Sequence, residues 1–475
     1  MKLRNKISLL SAICLILLAS CKKSTIFENP YSYITPEDAF SSADRIDKSA
    51  VAMYDALQDP NFLCGRVLIY ADQRGIDESP NAYFGNVGFL PNLSAGDGTV
   101  GASWRDGYNT IFVANNFLQN FTPKMNLVTA DKANQYVGEA KYIRSLCYFY
   151  LVNLWAQPYY KWNATDTTTL GVPLVLQAVS TTDDPFSSAN QIPRATIKAV
   201  YDQMEADLLE AKDKLPVPSS DAFTRVARAN KSSALALLMR LYLYEGKWDK
   251  ASAFADSVMS YSSILGLNAS PEQTFQSPYT SKESIFSVAM SGGDNPGTNN
   301  SLGQHYGAKA RGDINISGDY VALMDTVNDA RYRKLMQISK GLFWTLKYPG
   351  ITTDFVPVMR YAEVLLTKAE ALARLSPGSV DANALGYVNQ VRKRSNPNLT
   401  ITATTQQGLI DSILKERRIE LAFEGHGIFE YQRTGRDLPA HYGQPLQAWG
   451  SQRMVLPMPD YDIRKNPNLK QNPGY

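Results

Sequence analysis

The sequence predicts a predominantly α-helical protein, a tetratricopeptide-like scaffold of helical hairpins with long irregular loops and minor β-structure. Three observations point there. Apolar residues recur at the 3.6-residue period of a helix through much of the chain. Some of these stripes come in pairs separated by a short turn. Residues 265–355, between the paired blocks, are instead rich in Gly, Ser and Asn, with short alternating pieces such as "SIFSVAM" at 284–290.

At the start of the chain, Lys2, Arg4 and Lys6 precede an apolar run from Ile7 to Leu18, the layout of a secretory signal. The run falls short of the ~20 apolar residues that span a bilayer. Leu18-Ala19-Ser20-Cys21 resembles the bacterial lipoprotein processing box, which makes Cys21 the lipid-bearing N-terminus. Two or more acyl chains anchor a protein stably where one binds only marginally. Residues 1–20 are expected to be signal peptide, 21–34 a lipidated N-terminus and tether, and 35–475 the helical domain.

Without its leader the chain is formally neutral. The precursor has 48 Lys+Arg against 45 Asp+Glu, and the leader holds three of the basic residues and none of the acidic ones. A nucleic-acid binder would show a basic excess, so that class is set aside. Beyond Cys14 and Cys21 only Cys64 and Cys147 remain. They are able to pair in an oxidising compartment, but two buried free thiols fit better, and no CxxC metal spacing exists. Tyrosine is in surplus, 27 against 18 Phe and 6 Trp. Its polar-edged ring suits a core and also a surface that meets ring-shaped polar ligands.

The domain opens with "YITPEDAF". Thr35 suits a helix cap, Pro36 its first position, and Glu37 and Asp38 its positive end. Phe40, Ala43, Ile46, Ala50, Met53 and Leu57 then mark one apolar face. A polar, Gly-rich loop zone follows at 71–103, then helices near 107–120, 131–156 and 195–214. "AKYIRSLCYFYLVNLW" at 140–155 reads as the first helix of a pair. In the next pair Ala234, Leu237, Leu238, Leu241 and Tyr242 form a stripe, and Gly246 breaks it. A second stripe starts near Trp248 with Ala251, Phe254, Ala255 and Val258. "RYAEVLLTKAEALARL" and "ANALGYVNQVRKR" repeat the pattern. Hairpins are thus expected near 140–260 and 360–394.

Three motifs suggest chemistry and each has a plainer explanation. Gly96 to Gly101 reads GxGxxG, but "FLPNLSA" precedes it instead of a strand, and no acid lies between Asp106 and Asp131. A flexible loop is expected. Glu416, Glu420 and Glu424, a helical turn apart, invite a glycosidase reading. A general acid needs a raised pKa, whereas the interleaved Arg417 and Arg418 would lower it. Arg417 also falls on the apolar stripe of Ile410, Ile413 and Leu421 and needs internal partners, so an ion network is expected. The three histidines, His305, His426 and His441, have no metal-ligand spacing, and Arg311-Gly312-Asp313 is a triplet common by chance. No motif calls for a cofactor. The loop carboxylates are compatible with a structural Ca²⁺, although no EF-hand pattern is present.

Together the motifs resemble the SusD/RagB family of outer-membrane nutrient-binding lipoproteins. The resemblance runs through "WRDGYNTIFVANNF", Gly138-Glu139-Ala140-Lys141 with Arg144, Tyr148 and Phe149, the Trp248 hairpin, and "RYAEVLLTKAEA". It continues in Asn389, Arg392 and Arg394, "ERRIELAFEGH" and the tail "VLPMPDYDIRKNPNLKQNPGY". Gly427-Ile428-Phe429-Glu430 departs from it, since relatives more often follow EGH with Arg or another large residue. The resemblance implies a non-catalytic, lipid-anchored outer-membrane protein facing the cell exterior. It would capture oligosaccharides, or sometimes peptides, for a TonB-dependent transporter of the SusC type.

It also implies a ligand face built by the loops near 71–103 and 265–355. Tyr83, Phe84, Tyr306 and Trp344 are the candidate platforms, with Asp72 and Arg74 as polar contacts. Trp344 stands out because it sits among basic and glycine residues, off any helical stripe, while Trp104 and Trp248 belong to scaffold motifs and are expected in the core. Two other classes compete. One is a lipid-anchored helical-repeat scaffold that assembles envelope proteins and binds no nutrient. The other is a glycosidase using Glu420 and Glu424.

Overall fold

The computed structural model describes residues 34–159, 168–179, 187 and 190–475. Cys21 and the leader lie outside them. Thr35 does accept the Asp38 N–H, but the helix it opens, Pro36–Ala39, closes after one turn. Ser42 then caps α1 (Ala43–Asp55) by accepting the Arg45 N–H. The single helix expected from Thr35 is therefore two. Ser41 bonds back to the Asp38 carbonyl at 2.8 Å, a local alternative to the helical ladder. The apolar face survives the break, with Ile46, Ala50 and Met53 buried.

The zone expected to be loop, 71–103, includes the end of α2 (Arg66–Gln73) and the first turns of α3 (Gly98–Phe121). The GxGxxG stretch is accordingly not a flexible loop. Asp97 accepts the Thr99 N–H at 3.0 Å and caps α3. α4 (Ala130–Trp155) and α5 (Ile197–Lys214) lie where the periodicity puts them. α6 (Lys231–Tyr244) and α7 (Trp248–Met259) form the expected hairpin. Gly246 turns it at φ +72°, a conformation costing other residues about 1–2 kcal/mol. α8 (Tyr361–Leu375) pairs with α9 (Ala382–Ser395), and α10 (Gln406–Leu421) and α11 (Gly427–Thr434) follow.

Each helix packs on the next from α3 to α8, and α9 and α10 both lie against α8. Trp104 is buried as expected. Trp248 is only partly so, with the Arg374 guanidinium 4.7 Å from its ring. Cys64 and Cys147 are buried free thiols. The C-terminal tail is ordered because Asn472 donates to the Trp155 and Leu456 carbonyls, both at 2.7 Å, and the Tyr475 hydroxyl to the Val455 carbonyl.

Arginine forks make the joints of the stack. Arg144 on α4 grips Asp207 on α5 through two 2.8 Å bonds and reaches Asn115 on α3 at 2.8 Å. Arg240 on α6 holds Glu363 on α8 at 2.7 and 2.5 Å. Burial alone would raise the Glu363 carboxyl, but Arg240 beside it brings it down to about 2. Arg417, on the apolar stripe of α10, finds Thr367 at 3.0 Å and Glu430 at 3.1 Å.

The strands form two-stranded antiparallel pieces. β1 (Leu170–Pro173) pairs with β2 (Arg194–Thr196), and β3 (Ser284–Val288) with β6 (Val356–Arg360). β4 (Met336–Ser339) and β5 (Leu342–Thr345) form a hairpin. Irregular backbone extends this order. Ser79 N–H donates to the Asn315 carbonyl at 2.9 Å and Ser317 N–H to the Asp77 carbonyl at 2.8 Å. Ile316 bridges Glu78 on one side and Phe343 on the other.

The irregular segment is fastened to the helices by charge. Glu424 stands beyond the end of α10, not on it with Glu416 and Glu420 as expected. Four buried cations, Arg331, Lys347, Arg360 and Arg392, and the half-buried Arg394 face five buried carboxylates, Glu283, Asp329, Glu416, Glu420 and Glu424. Arg360 alone reaches Glu283 at 2.6 Å, Glu420 at 3.2 Å and Glu424 at 2.6 Å. Burial would raise the Glu420 carboxyl, yet Arg394, Arg360 and Arg331 outweigh it and hold it below the carboxylate range. Glu420 is thus an ionised structural partner, the reverse of a general acid. Removing one member of a buried ion cluster typically costs about 3–5 kcal/mol. Glu420→Gln is expected to destabilise the protein by that amount in urea denaturation, and an unchanged midpoint would contradict the role given to this cluster.

Candidate functional site

The structure turns most of the sequence-predicted contacts inward. Asp72, on α2, is buried, and its carboxylate accepts the N–H groups of Gly425, His426 and Gly427 at 2.7, 3.1 and 2.8 Å. It caps the entry to α11. Arg74 is fully buried, donating to the Val87 carbonyl at 3.3 Å and the Arg453 carbonyl at 2.6 Å. Phe84 is buried edge-on to Tyr70 and Tyr83. The Tyr306 hydroxyl donates to the buried Glu78 at 2.8 Å.

Trp344 is a strand residue of β5, 8% exposed, with its indole N–H donating to the Ser339 carbonyl at 3.3 Å. Its ring floors the Gly312 turn. Gly312 has φ +61°, and a Cβ there would come within 3.2 Å of the indole. These five residues therefore support the face; they are not open platforms on it. Their positions in Gly-rich segments suggested exposure, but each pays off a buried polar group or fills the space under a turn.

Tyr83 alone among the six candidates is exposed, at 39%. It sits in a single 3-10 turn, Ala82–Phe84, whose cap Asn81 accepts the Tyr83 N–H at 2.7 Å. Asn81 also donates to the Asp313 carbonyl at 2.6 Å, fixing the turn against the mid-chain segment. A turn of three residues sends neighbouring side chains in different directions, so Phe84 points in while Tyr83 stays out. Two guanidinium groups flank the Tyr83 ring, Arg311 at 4.1 Å and Arg66 at 5.1 Å from its centroid. Arg311 is tied to Asp313 at 2.9 Å and to the Asn299 side-chain oxygen at 3.0 Å.

His305 lies beneath, fully buried, with its ring 5.3 Å from that of Tyr83. Its Nδ1 is 2.8 Å from Asp313, so in the neutral ring Nδ1 carries the proton and donates it. Burial pushes the imidazole down to about 4, against the pull of Asp313.

A second exposed ring, Tyr442 at 45%, stands near Ser317 and Asp77. Tyr83 and Tyr442 thus mark opposite ends of the 77–81/313–317 ladder, whose four-residue step spans roughly 13 Å. Arg418 clamps the Asp77 end to α10 with bonds of 2.9 and 3.0 Å. A cavity of about 250 Å³, lined by Asp72, Asp77, Leu414, Arg418, His426 and Tyr431, adjoins the Asp77 end of this ladder and includes neither Tyr83 nor Tyr442. Among the described residues no group of three or more His, Cys, Asp or Glu side chains is arranged to hold a metal ion.

Residues 330–475 match the model of the SusD family, and residues 28–243 a model described as starch-binding associating with outer membrane. The "SusD-like protein P2" of Formosa agariphila is 26% identical to this chain, covering 98% of both. The crystal structure of a SusD superfamily protein from Bacteroides vulgatus aligns with TM-score 0.78 and 26% identity, over 91% of this chain and 99% of that one. The chain belongs to the SusD/RagB family. The starch-binding protein SusD of Bacteroides thetaiotaomicron shares a shorter stretch, 33% identical over 27% of this chain and 22% of that protein.

Sequence reasoning on this SusD/RagB chain missed Arg66, Arg311 and Tyr442. Arg66 sits in the apolar run "CGRVLIYA", where an isolated charge signals a special environment. Tyr442 lies outside both loop windows, although its setting in "HYGQP" marks it as a turn aromatic.

The His305 environment has a measurable consequence. The unfolded chain takes up a proton at this residue near pH 6.5, the folded chain only near 4. The resulting stability, roughly 3 kcal/mol, is fully present above pH ~6.5 and is lost as pH falls toward 4. An NMR titration is expected to place the His305 midpoint near 4, and a midpoint near 6.5 would show an open, solvated ring.

Proposed function

We propose that this protein is a non-catalytic capture lipoprotein of the outer-membrane surface. It takes oligosaccharides on the face marked by Tyr83 and Tyr442 and passes them to a TonB-dependent transporter of the SusC type. The carrying observation is the pair of exposed tyrosines toward the two ends of a backbone-bonded ladder, with guanidinium and amide groups beside the first. Aromatic rings offer flat apolar surface to sugar C–H groups, and forked donors bind hydroxyls. Family membership supports the reading, since one matched model is described as starch-binding and outer-membrane-associated. The paired, ionised state of Glu420 and Glu424 supports a role in binding rather than hydrolysis. Anchoring through Cys21 would keep a formally neutral body beside the pore it serves.

Capture at this face predicts retardation by a cognate polysaccharide in native affinity electrophoresis of residues 22–475, without release of reducing ends. Tyr83→Ala or Tyr442→Ala is expected to weaken that binding about tenfold, or ~1.4 kcal/mol, in a protein that still folds, with Tyr83→Ala also lowering the melting temperature because its ring covers Arg66. Trp344→Ala is expected to act differently, lowering stability by about 3–5 kcal/mol as a buried ring is lost. Binding that survives both tyrosine substitutions would overturn this placement of the site. Cleavage of the retarding glycan would restore the glycosidase alternative.

A further inference from the structure

Buried arginines elsewhere in this chain are well partnered. Arg240 and Arg360 hold carboxylates at 2.5–2.7 Å, and Arg74 and Arg225 hold carbonyls at 2.6 and 2.9 Å. Arg66 differs. It is 6% exposed, and its guanidinium is wedged 5.1 Å from the centroids of both Tyr83 and Phe84. Its polar contacts are all made by Nη2 and all measure 3.4 Å: the Tyr83 hydroxyl, the Asn299 carbonyl and the Asn300 side-chain oxygen. That is beyond the usual 2.7–3.2 Å of an N–H···O bond. Its Nε is buried with no partner and it forms no ion pair with a carboxylate among the described residues, features it shares with Arg74 and Arg225; what sets it apart is that none of its bonds is short.

A guanidinium carries five donors, and a buried charge without a counter-ion costs several kcal/mol. The aromatic faces offset part of that cost. Arg66 therefore stands with no carboxylate partner and no short bond to any acceptor, directly beside the exposed ring of the proposed capture face. Arg311 adds a second guanidinium on that ring against the single carboxylate of Asp313. Asn299 is the present occupant of the space between them. Its carbonyl oxygen accepts from Tyr83 at 3.3 Å and from Arg66, and its side-chain oxygen accepts from Arg311. Neutral oxygens thus sit where the oxygens of an anion would bind both forks.

We infer that the Arg66–Tyr83–Arg311 cluster is an oxyanion subsite, and that the glycan captured on this face is acidic, bearing uronate carboxylates or sulfate esters. This rests on the capture reading and narrows its substrate class. An incoming oxyanion displaces the Asn299 and Asn300 oxygens and turns long neutral contacts into charge-assisted bonds of about 2.7–2.9 Å. The hydroxyl of Tyr83 supplies a further donor to the same group.

The test compares matched polysaccharides on the mature lipoprotein in detergent. Polygalacturonate and alginate are each set against their carboxyl-reduced forms, sulfated galactans against their desulfated forms, and starch serves as a neutral reference. The expected result is binding of one acidic polymer at least about tenfold tighter than its neutralised counterpart. The carboxylate and sulfate arms tell which oxyanion is read. Arg66→Gln should abolish the difference between the pair, and if that variant does not fold, the more exposed Arg311→Gln should reduce it. Equal binding of an acidic polymer and its neutralised form, or unchanged acid preference in both variants, overturns the oxyanion subsite and leaves glycan capture standing. Binding of no polysaccharide of either kind overturns the capture reading, and the subsite with it.

Discussion

The compensation of buried charge at the junction of α9, α10 and the mid-chain segment is the constraint on which the rest of this structure depends. Five cations and five carboxylates are withdrawn from water there, and the arrangement is tolerable only if every member meets an opposite charge at bonding distance. That requirement acts on backbones far apart in sequence. Glu283, Asp329, Arg331 and Lys347 come from the irregular segment, Arg360, Arg392 and Arg394 from the second hairpin and its entry, and Glu416, Glu420 and Glu424 from α10 and the turn beyond it. A segment with little regular secondary structure is thereby fastened to the helices by its side chains.

The consequence reaches the surface. With the mid-chain segment pinned behind, its 313–317 stretch serves as a fixed edge to which 77–81 adds by backbone bonds, while Arg418 ties Asp77 to α10 and Asp72 ties the preceding helix α2 to α11. Trp344 supports the Gly312 turn from below, and Asn81 sets the turn that presents Tyr83. Binding groups on loops need such a scaffold if they are to meet a ligand without a large ordering cost. The polar residues buried under the face are how its aromatic residues keep their places.

Much of this fold was legible in the sequence, because helical periodicity survives any tertiary context. The stripes of α4 to α9 and the Gly246 turn are where they should be, and the charge of Arg417 on an apolar stripe announced an internal ion network. What periodicity does not carry is the fate of polar residues in irregular segments. Asp72, Arg74 and Tyr306 look like surface groups beside Gly and Asn, yet they satisfy buried backbone and carboxylate groups that only the folded chain brings near. The break after Phe40 escaped notice because a serine pair competes with the helix locally while leaving the apolar repeat intact. Arg66 was readable by the logic applied to Arg417, a charge embedded in apolar neighbours. It lay on a helix just ahead of the window taken for the ligand loops, and so was passed over.

The most direct test of the account is hydrogen–deuterium exchange on the protein with and without a retarding polysaccharide. New protection is expected only at residues 79–85, 299–313 and the turn around Tyr442, with the α3 to α9 stack unchanged. Protection centred on the helical hairpins, with those three segments unaffected, would contradict it.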